Sequence, residues 1–517
     1  MGDYMGFKKE KIFSPVKLLL RIIVSIILIL LQVLIYFLLF VGSLNLPYIY
    51  LIAFIVSILL VIRLYNSSDN ISYKIVWIII ILMFSLTGPL LYLCFGNGNN
   101  LPKRKNKKIG GYLLSLIEKN DCLDEIKTSD LFGARCANYL HNTTGLYPYN
   151  NQGEEFYSDG VLMFDAMLEA IDRAQKYIFM EYFIVASGKM LDRLIEHLSL
   201  AKDRGVEIKF IYDYVGCNVP KVLMKKDKNK LNEITNDNFV SYNPLGINFN
   251  LGINYRDHRK ILLIDGLECF VGGINIADEY IHEKEKYGLW RDNGMKIVGE
   301  ATYNYLLMFA SMWFMSTKET LDVAKYKADC HFENQQGYVF PFADGPMDKI
   351  DPAYDLFLKL INNAKEKIYI STPYLVIDNL FLKAIENQSK SGVEVCLLVP
   401  EIPDKKIVYM MTENNFTKLA KVGVKVYKYK GGFNHAKTLI VDGKYCVIGT
   451  INTDYRSMFL HFECGNFLIN TPSVKDIEKD FLETIDNSVV VTSEDGKKIN
   501  PFKRMFGFLL SLLSPLF

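Results

Sequence analysis

No Cys-x-x-Cys pair occurs in the sequence, and its nine cysteines (Cys94, Cys122, Cys136, Cys217, Cys269, Cys330, Cys396, Cys446 and Cys464) follow no regular spacing. An odd, scattered set argues against a disulfide framework and for reduced thiols facing a cytosol. Histidine is scarce too, with seven in 517 residues, and no His or Cys falls at the close spacings of zinc sites, so no metal is expected. Neither charge sign dominates: the net charge of +2 gives no reason to expect nucleic acid, and partners must be read from local clusters. The length exceeds what one hydrophobic core holds, which implies at least two folded units.

Charge is missing altogether from Ile22 to Ile62 and again from Ile75 to Pro102. Each run exceeds the roughly 20 apolar residues that cross a bilayer core. The first could cross twice if the chain turns near Gly42 to Pro47, giving two or three spans in all. A cleaved signal peptide is the competing reading, but the apolar stretch outlasts a signal-peptide core and a second one follows. Lys103, Arg104, Lys105, Lys107 and Lys108 come after the last run and ask for the cytoplasmic side, as do Lys8, Lys9, Lys11 and Lys17 at the other end. The expectation is a multi-pass anchor in the cell membrane over residues 1–108 with the remainder cytoplasmic. The basic run is either a solvated linker or a contact for anionic lipid head groups, and it can be both.

Beyond about residue 150 one order of elements occurs twice. Met167 to Met180 and Phe357 to Ile370 each read as a helix entering a strand, and Leu191 to Lys202 and Leu380 to Lys390 read as helices. Each of these helices leads through Gly-Val-Glu into a further strand, at Gly205 and at Gly392. Helices alternating with strands predict an α/β fold of two halves with mostly parallel sheets, over 109–330 and 331–490, followed by an apolar tail at 491–517. Each half ends in one pattern: His258-x-Lys260-x4-Asp265-Gly and His435-x-Lys437-x4-Asp442-Gly, with Asn275 and Asn452 at matched offsets beyond. Chance would place His-x-Lys-x4-Asp at roughly one histidine in 400. Two copies with matched extensions are a genuine repeat.

The duplicated motif resembles the signature of the phospholipase D superfamily. From about residue 75 onward the chain is similar to bacterial cardiolipin synthases, through Leu86-Thr-Gly-Pro to Gly96, Asn254-Tyr-Arg-Asp-His-Arg-Lys260, Trp290-Arg-Asp292, Ser371-Thr-Pro-Tyr374, Pro403-Asp404 and Asn452-Thr-Asp-Tyr-Arg-Ser457 with Glu463. The resemblance implies halves packed about a pseudo-twofold axis, so that His258 and His435 meet at one phosphate. It also implies phosphatidyl transfer between two phosphatidylglycerol molecules, releasing glycerol, with no metal or organic cofactor and no nucleic acid. A hydrolase giving phosphatidic acid, or a non-enzymatic membrane scaffold, are the alternatives.

The residue types suit that chemistry. A phosphodiester repels nucleophiles and has a poor leaving group, so exchange is eased by two displacements through a covalent intermediate. Histidine can attack while neutral, and a second can donate a proton. Lys260 and Lys437 lie two residues beyond the histidines, on the same strand face, where each can hold a phosphate oxygen. Asn275 and Asn452 can add neutral donors. Asp265 and Asp442 have the opposite strand parity; they either orient a histidine across the fold, as the resemblance implies, or cap the turn before Gly266 and Gly443. Glu463 can pair with a histidine or lysine. Arg256 and Arg456 are candidates for a second phosphate, or else exposed ion pairs. His197 and His461 read as packed or surface histidines. The tail from Lys503 is too short to span a bilayer and lies at the interface or packs on the enzyme.

Overall fold

The computed structural model describes residues 47–96 and 116–492 apart from breaks at 68, 219–220, 245–253, 330–331, 347–349 and 377, with isolated residues towards either end. The N-terminal lysines, most of the first apolar run before Pro47, the basic stretch 103–108 and most of the tail lie outside the described residues. The chain divides into two units, 1–101 with 244–253 and 102–243 with 254–517.

In the first unit, helix Pro47–Tyr65 begins at a proline, whose fixed φ suits a first turn. Helix Ile71–Met83 is capped by Asn70, whose side chain accepts from the Ser72 amide. Ser57 joins this pair to the next turn by donating to the Ser85 carbonyl at 3.2 Å. Among the described residues, no helix is long and apolar enough to cross a membrane.

The second unit carries two large sheets and, among the described residues, two ribbons of two strands each. In chain order the strands are β1 (Tyr149–Asn150), β2 (Glu154–Tyr157), β3 (Tyr177–Tyr182), β4 (Glu207–Asp213), β5 (Phe239–Tyr242), β6 (Lys260–Ile264), β7 (Glu268–Gly272), β8 (Leu289–Arg291) and β9 (Gly294–Val298). They continue with β10 (Tyr338–Asp344), β11 (Lys367–Ser371), β12 (Leu375–Val376), β13 (Glu394–Pro400), β14 (Lys425–Tyr429), β15 (Gly432–Asn434) and β16 (Thr438–Val441). The last are β17 (Tyr445–Gly449), β18 (Thr453–Asp454), β19 (Glu463–Ile469) and β20 (Val489–Val491). One sheet runs β2-β9-β7-β6-β3-β4-β5; the other runs β1-β10-β19-β17-β16-β11-β13-β14-β20 and, without its two outermost strands, has the same order. The repeat in sequence is thus a repeat in topology. The ribbons pair β8 with β15 and β12 with β18.

The sheets are mixed, not mostly parallel. Helix crossovers keep β3, β4 and β5 parallel, and likewise β11, β13 and β14. The strand after each histidine motif instead turns straight back, so β6–β7, β7–β9, β16–β17 and β17–β19 are antiparallel. The cause is local: Asp265 and Gly266 have φ of 54° and 71°, and Asp442 and Gly443 of 55° and 62°. Two left-handed residues in succession make a tight hairpin turn, which reverses the chain where a helix would have carried it over.

The all-buried β6, Lys-Ile-Leu-Leu-Ile, sits in the middle of its sheet, and helix Thr302–Thr317 ties the two sheets together. Phe309 of this helix stacks on Phe179 of the first sheet with ring centres 4.7 Å apart, while the Tyr305 hydroxyl donates to Asn466 of the second at 2.8 Å. Part of the segment just ahead of β2 sits on the second sheet. β1 pairs with β10, and Asp130 accepts a hydrogen bond from Tyr445 at 2.7 Å.

Candidate active site

Both histidines stand just before the first residues of β6 and β16, and each stretch is stitched to the opposite half. The His258 amide donates to the Phe462 carbonyl at 2.9 Å, and the Phe462 amide to Arg256 at 2.8 Å. The His435 amide donates to Arg291 at 2.7 Å, at the end of a parallel ribbon of β8 and β15. Backbone pairing across the halves therefore brings the two motifs to one place.

Side chains cross in the same way. His258 Nδ1 lies 2.9 Å from Glu463 Oε1, and His435 Nδ1 lies 2.5 Å from Asp292 Oδ2. The two carboxylates occupy equivalent positions: Gly294 and Gly465, each two residues further on, pair with Gly272 and Gly449. Because Nδ1 faces a carboxylate, it carries the proton, and the Nε2 lone pair is left for chemistry. Glu463 is itself fixed by Ser457 Oγ at 2.7 Å and Thr450 Oγ1 at 2.5 Å.

Lys260 Nζ donates to the His258 carbonyl at 2.5 Å, and Lys437 Nζ contacts the His435 carbonyl and, at 2.9 Å, its Nδ1. Burial dominates the electrostatics. It pushes the His258 imidazole well below its ordinary pKa, aided by Lys260 and Lys437, and pushes His435 to about 4 against the opposing pull of Asp292. It also lowers Lys260 to about 7 and Lys437 to about 8, with Glu463 and Asp292 respectively pulling them back up. Two neutral imidazoles and two easily discharged ammonium groups suit a single anionic guest, whose charge stabilises the protonated forms.

Other expected residues are placed differently. Asn275 is engaged, accepting from the Ile184 amide at 3.0 Å and donating to the Tyr280 hydroxyl at 2.6 Å, whereas the buried Asn452 side-chain oxygen has no hydrogen-bond partner among the described residues. Asp265 touches no histidine: its carboxylate accepts from the amides of Gln175, Lys176 and Tyr177, each at 2.8 Å. Asp442 does the same with Lys365, Glu366 and Lys367. Neither reading of these aspartates describes their contacts: each carboxylate binds backbone amides 75 to 90 residues earlier in the chain, not an imidazole and not its own turn. They fasten each hairpin to the segment entering the neighbouring strand. Arg256 is 1% exposed, 3.6 Å from Asp213 and donating to the Asn243 carbonyl, so it is closed off from a second phosphate. Arg456 is half-buried, with Nε donating to His461 Nε2 at 3.2 Å.

Three features gain a place in the site only from the structure. Asp292 is one; an acid two residues before a glycine, Asp292-x-Gly and Glu463-x-Gly, was its visible signal. His461 is another: it is buried with its ring centre 5.4 Å from that of His258, and burial lowers it to about 3. Its counterpart beside His435 is Trp290, at 5.3 Å. The third is a buried acidic pair, Glu181 and Asp257, where burial raises both carboxyls beside Arg259 and the neighbouring Glu181 raises Asp257 further. The second half has the neutral Ser371 and Asn434 at the same places, hydrogen-bonded at 2.9 Å. His197 is a surface histidine paired with Asp172. His258, His461 and Glu463 offer ligand atoms within 4.8 Å of one another and form a candidate metal-holding set among the described residues. Two nearby lysines make the surroundings better suited to an anion than to a dication.

Two symmetry-related histidines, each with a carboxylate from the other half and a lysine beside it, define a phospholipase D-like centre for phosphodiester exchange. The family described as "Cardiolipin synthase, PLD-like domain" matches residues 167–313 and 357–485, and that described as "Phospholipase_D-nuclease N-terminal" matches 52–97. The chain is 33% identical over 448 residues to a cardiolipin synthase of Alkalihalophilus pseudofirmus, covering 85% of this chain and 88% of the relative. It is 32% identical over 454 residues to a cardiolipin synthase of Clostridium perfringens, covering 85% and 93%. In fold it resembles the phosphatidylserine synthase of Haemophilus influenzae, with a TM-score of 0.57 at 16% identity over 75% of this chain and 100% of that one. The chain belongs to the cardiolipin synthase family.

Proposed function

We propose that this protein makes cardiolipin from two molecules of phosphatidylglycerol. His258 Nε2 attacks the phosphorus of the first, and the bond to glycerol breaks as His435 gives its proton to the leaving oxygen. A hydroxyl of the second phosphatidylglycerol then returns its proton to His435 and attacks the phosphohistidine, freeing His258. Lys260 and Lys437 hold the non-bridging oxygens. Glu463 and Asp292 fix the tautomers and steady the imidazolium.

The observation that carries this reading is the crossed pairing of His258 with Glu463 and His435 with Asp292. The clamping of Glu463 by two hydroxyls supports His258 as the nucleophile, since an attacking group needs the tighter orientation. The two uncharged runs and the lysines at 103–108 support a multi-pass membrane anchor with the catalytic part on the cytoplasmic side. The test is to give purified protein labelled phosphatidylglycerol and separate the lipid products. Cardiolipin with released glycerol is the expected result; phosphatidic acid alone would replace the transferase reading with a hydrolase.

A further inference from the structure

The ribbon of β8 and β15 has two ends of opposite character. Its inner end holds His435, covered by Trp290, Phe433 and Tyr280 with ring centres 5.3 to 5.7 Å from the imidazole. These rings continue outward through Tyr287 on Trp290 and Tyr374 on Phe433, at 6.3 and 6.4 Å. At the outer end the chain closes tightly: Gly288 approaches Gly431 so closely that a Cβ would sit 2.1 Å from its carbonyl oxygen. Leu289 pairs with Gly432 there, and the Ile402 amide donates to the same residue's carbonyl at 3.2 Å.

What stands at this outer end is apolar and exposed. Leu289 is 54% exposed and Ile402 37%, and Ile407, five residues along the chain from Ile402 in the first turn of helix Lys406–Ala420, is 54% exposed. Exposed among them are Lys405, Lys406 and Lys430. The neighbouring acids are already engaged by the protein: Glu401 accepts from the Gly431 amide at 2.8 Å, and Asp404 from the Tyr374 hydroxyl at 2.6 Å. Val408, one residue past Ile407, packs both on the large core that contains Trp290 and Phe433 and on a small cluster of Val376, Met411 and Tyr455. Leu510 of the C-terminal tail packs on that second cluster, and the nearby Met505 is 56% exposed. Apolar residues at the mouth of a site, ringed by cations and joined to it by an aromatic wall, have the chemistry of a surface that meets anionic lipid.

We propose that this lip is where the catalytic unit rests on an anionic bilayer. Leu289, Ile402 and Ile407 enter the acyl region, and Lys405, Lys406 and Lys430 pair with lipid phosphates. A phosphatidyl head group then climbs the aromatic wall to His435 while its acyl chains stay in the membrane. This rests on the lipid reading of the site above and adds the face by which substrate enters.

The experiment compares the full-length protein with a triple variant, Leu289→Glu, Ile402→Glu and Ile407→Glu, on two substrates. One is long-chain phosphatidylglycerol in vesicles with phosphatidylcholine; the other is dihexanoyl phosphatidylglycerol dispersed in solution. Consumption of phosphatidylglycerol is measured, whatever the product. The expected result is a loss of about tenfold on vesicles, since charged residues do not enter an acyl layer, with turnover of the dispersed substrate within about twofold of the original. A loss of equal size on both substrates, or on neither, overturns the lip. Product identity is scored separately, so a hydrolase outcome would change the transferase reading and leave this comparison standing.

Discussion

Glu463 reaches from the second half to His258 in the first, 2.9 Å from its Nδ1, while two hydroxyls hold the carboxylate in place. Glu463→Gln keeps the shape and removes the charge that steadies an imidazolium. The expected outcome is a fall in kcat of roughly 10²–10⁴-fold with little change in KM. Steady-state kinetics on phosphatidylglycerol checks it, and a change confined to KM would mean that Glu463 binds substrate instead. Asp292→Asn should do the same through His435.

His258→Ala and His435→Ala should both stop turnover, but for different reasons. With a phosphatidyl ester of a nitrophenol-like alcohol, departure needs no proton, so His435→Ala should accumulate a phosphatidyl adduct on His258. His258→Ala should accumulate none. Intact-protein and peptide mass spectrometry distinguishes the two; an adduct on His435 would reverse the assignment.

The lowered pKa values set a pH profile. The nucleophile His258 must be neutral to attack and sits well below its ordinary value, so attack should persist on the acid side below pH 6.5, while His435, lowered to about 4 without substrate, holds the proton it donates when bound phosphodiester favours its charged form. A lysine must be charged to hold phosphate, and Lys260 discharges at about 7, so kcat/KM should fall as pH rises through that region. Bound phosphodiester favours the ammonium form, which moves the same limb of kcat to higher pH. Lys260→Arg, always charged, should flatten the alkaline limb of kcat/KM. An unchanged limb would assign it to another group.

Asp265 bonds three backbone amides and no imidazole, which makes it a fastening of the fold. Asp265→Ala strands those donors and puts a Cβ-bearing residue without a compensating side chain at φ 54°. A stability loss of about 2–4 kcal/mol is expected in denaturant unfolding of the second unit, with the folded fraction keeping near-normal kcat. A kcat loss as large as that of Glu463→Gln, at normal stability, would restore a catalytic role.

Incubation with a chelator should leave phosphatidylglycerol turnover unchanged, because in the proposed mechanism side chains supply nucleophile, acid and charge stabilisation. Loss of activity restored by one specific ion would make His258, His461 and Glu463 a metal site.

Much of this architecture could be read from the chain, and what escaped shares a cause. The histidines, lysines and asparagines recur at fixed short offsets, so spacing alone found them. Their acids do not: Glu463, named through the resemblance with its partner left open between a histidine and a lysine, is 205 residues from His258, and Asp292 is 143 from His435, each across the boundary of the repeat. A search within each half meets Asp265 and Asp442 first, close in sequence and pointing elsewhere. Sheet direction escaped for a similar reason. Helix and strand alternation reads as parallel until the Asp-Gly pair after each motif is recognised as a hairpin turn. Arg256 read as a candidate for a second phosphate or an exposed ion pair because its burial beside Asp213 depends on contacts that no local pattern encodes.

Because histidine and carboxylate come from opposite halves, synthesis of the chain imposes an order on its reactivity. When the first half leaves the ribosome it carries His258 without Glu463, and Asp292 without His435. His258 gains its carboxylate only when β19 has paired, and His435 only when β15 joins β8. On the proposed mechanism, a chain cut before His435 therefore lacks both the carboxylate that orients the nucleophile and the acid that releases glycerol.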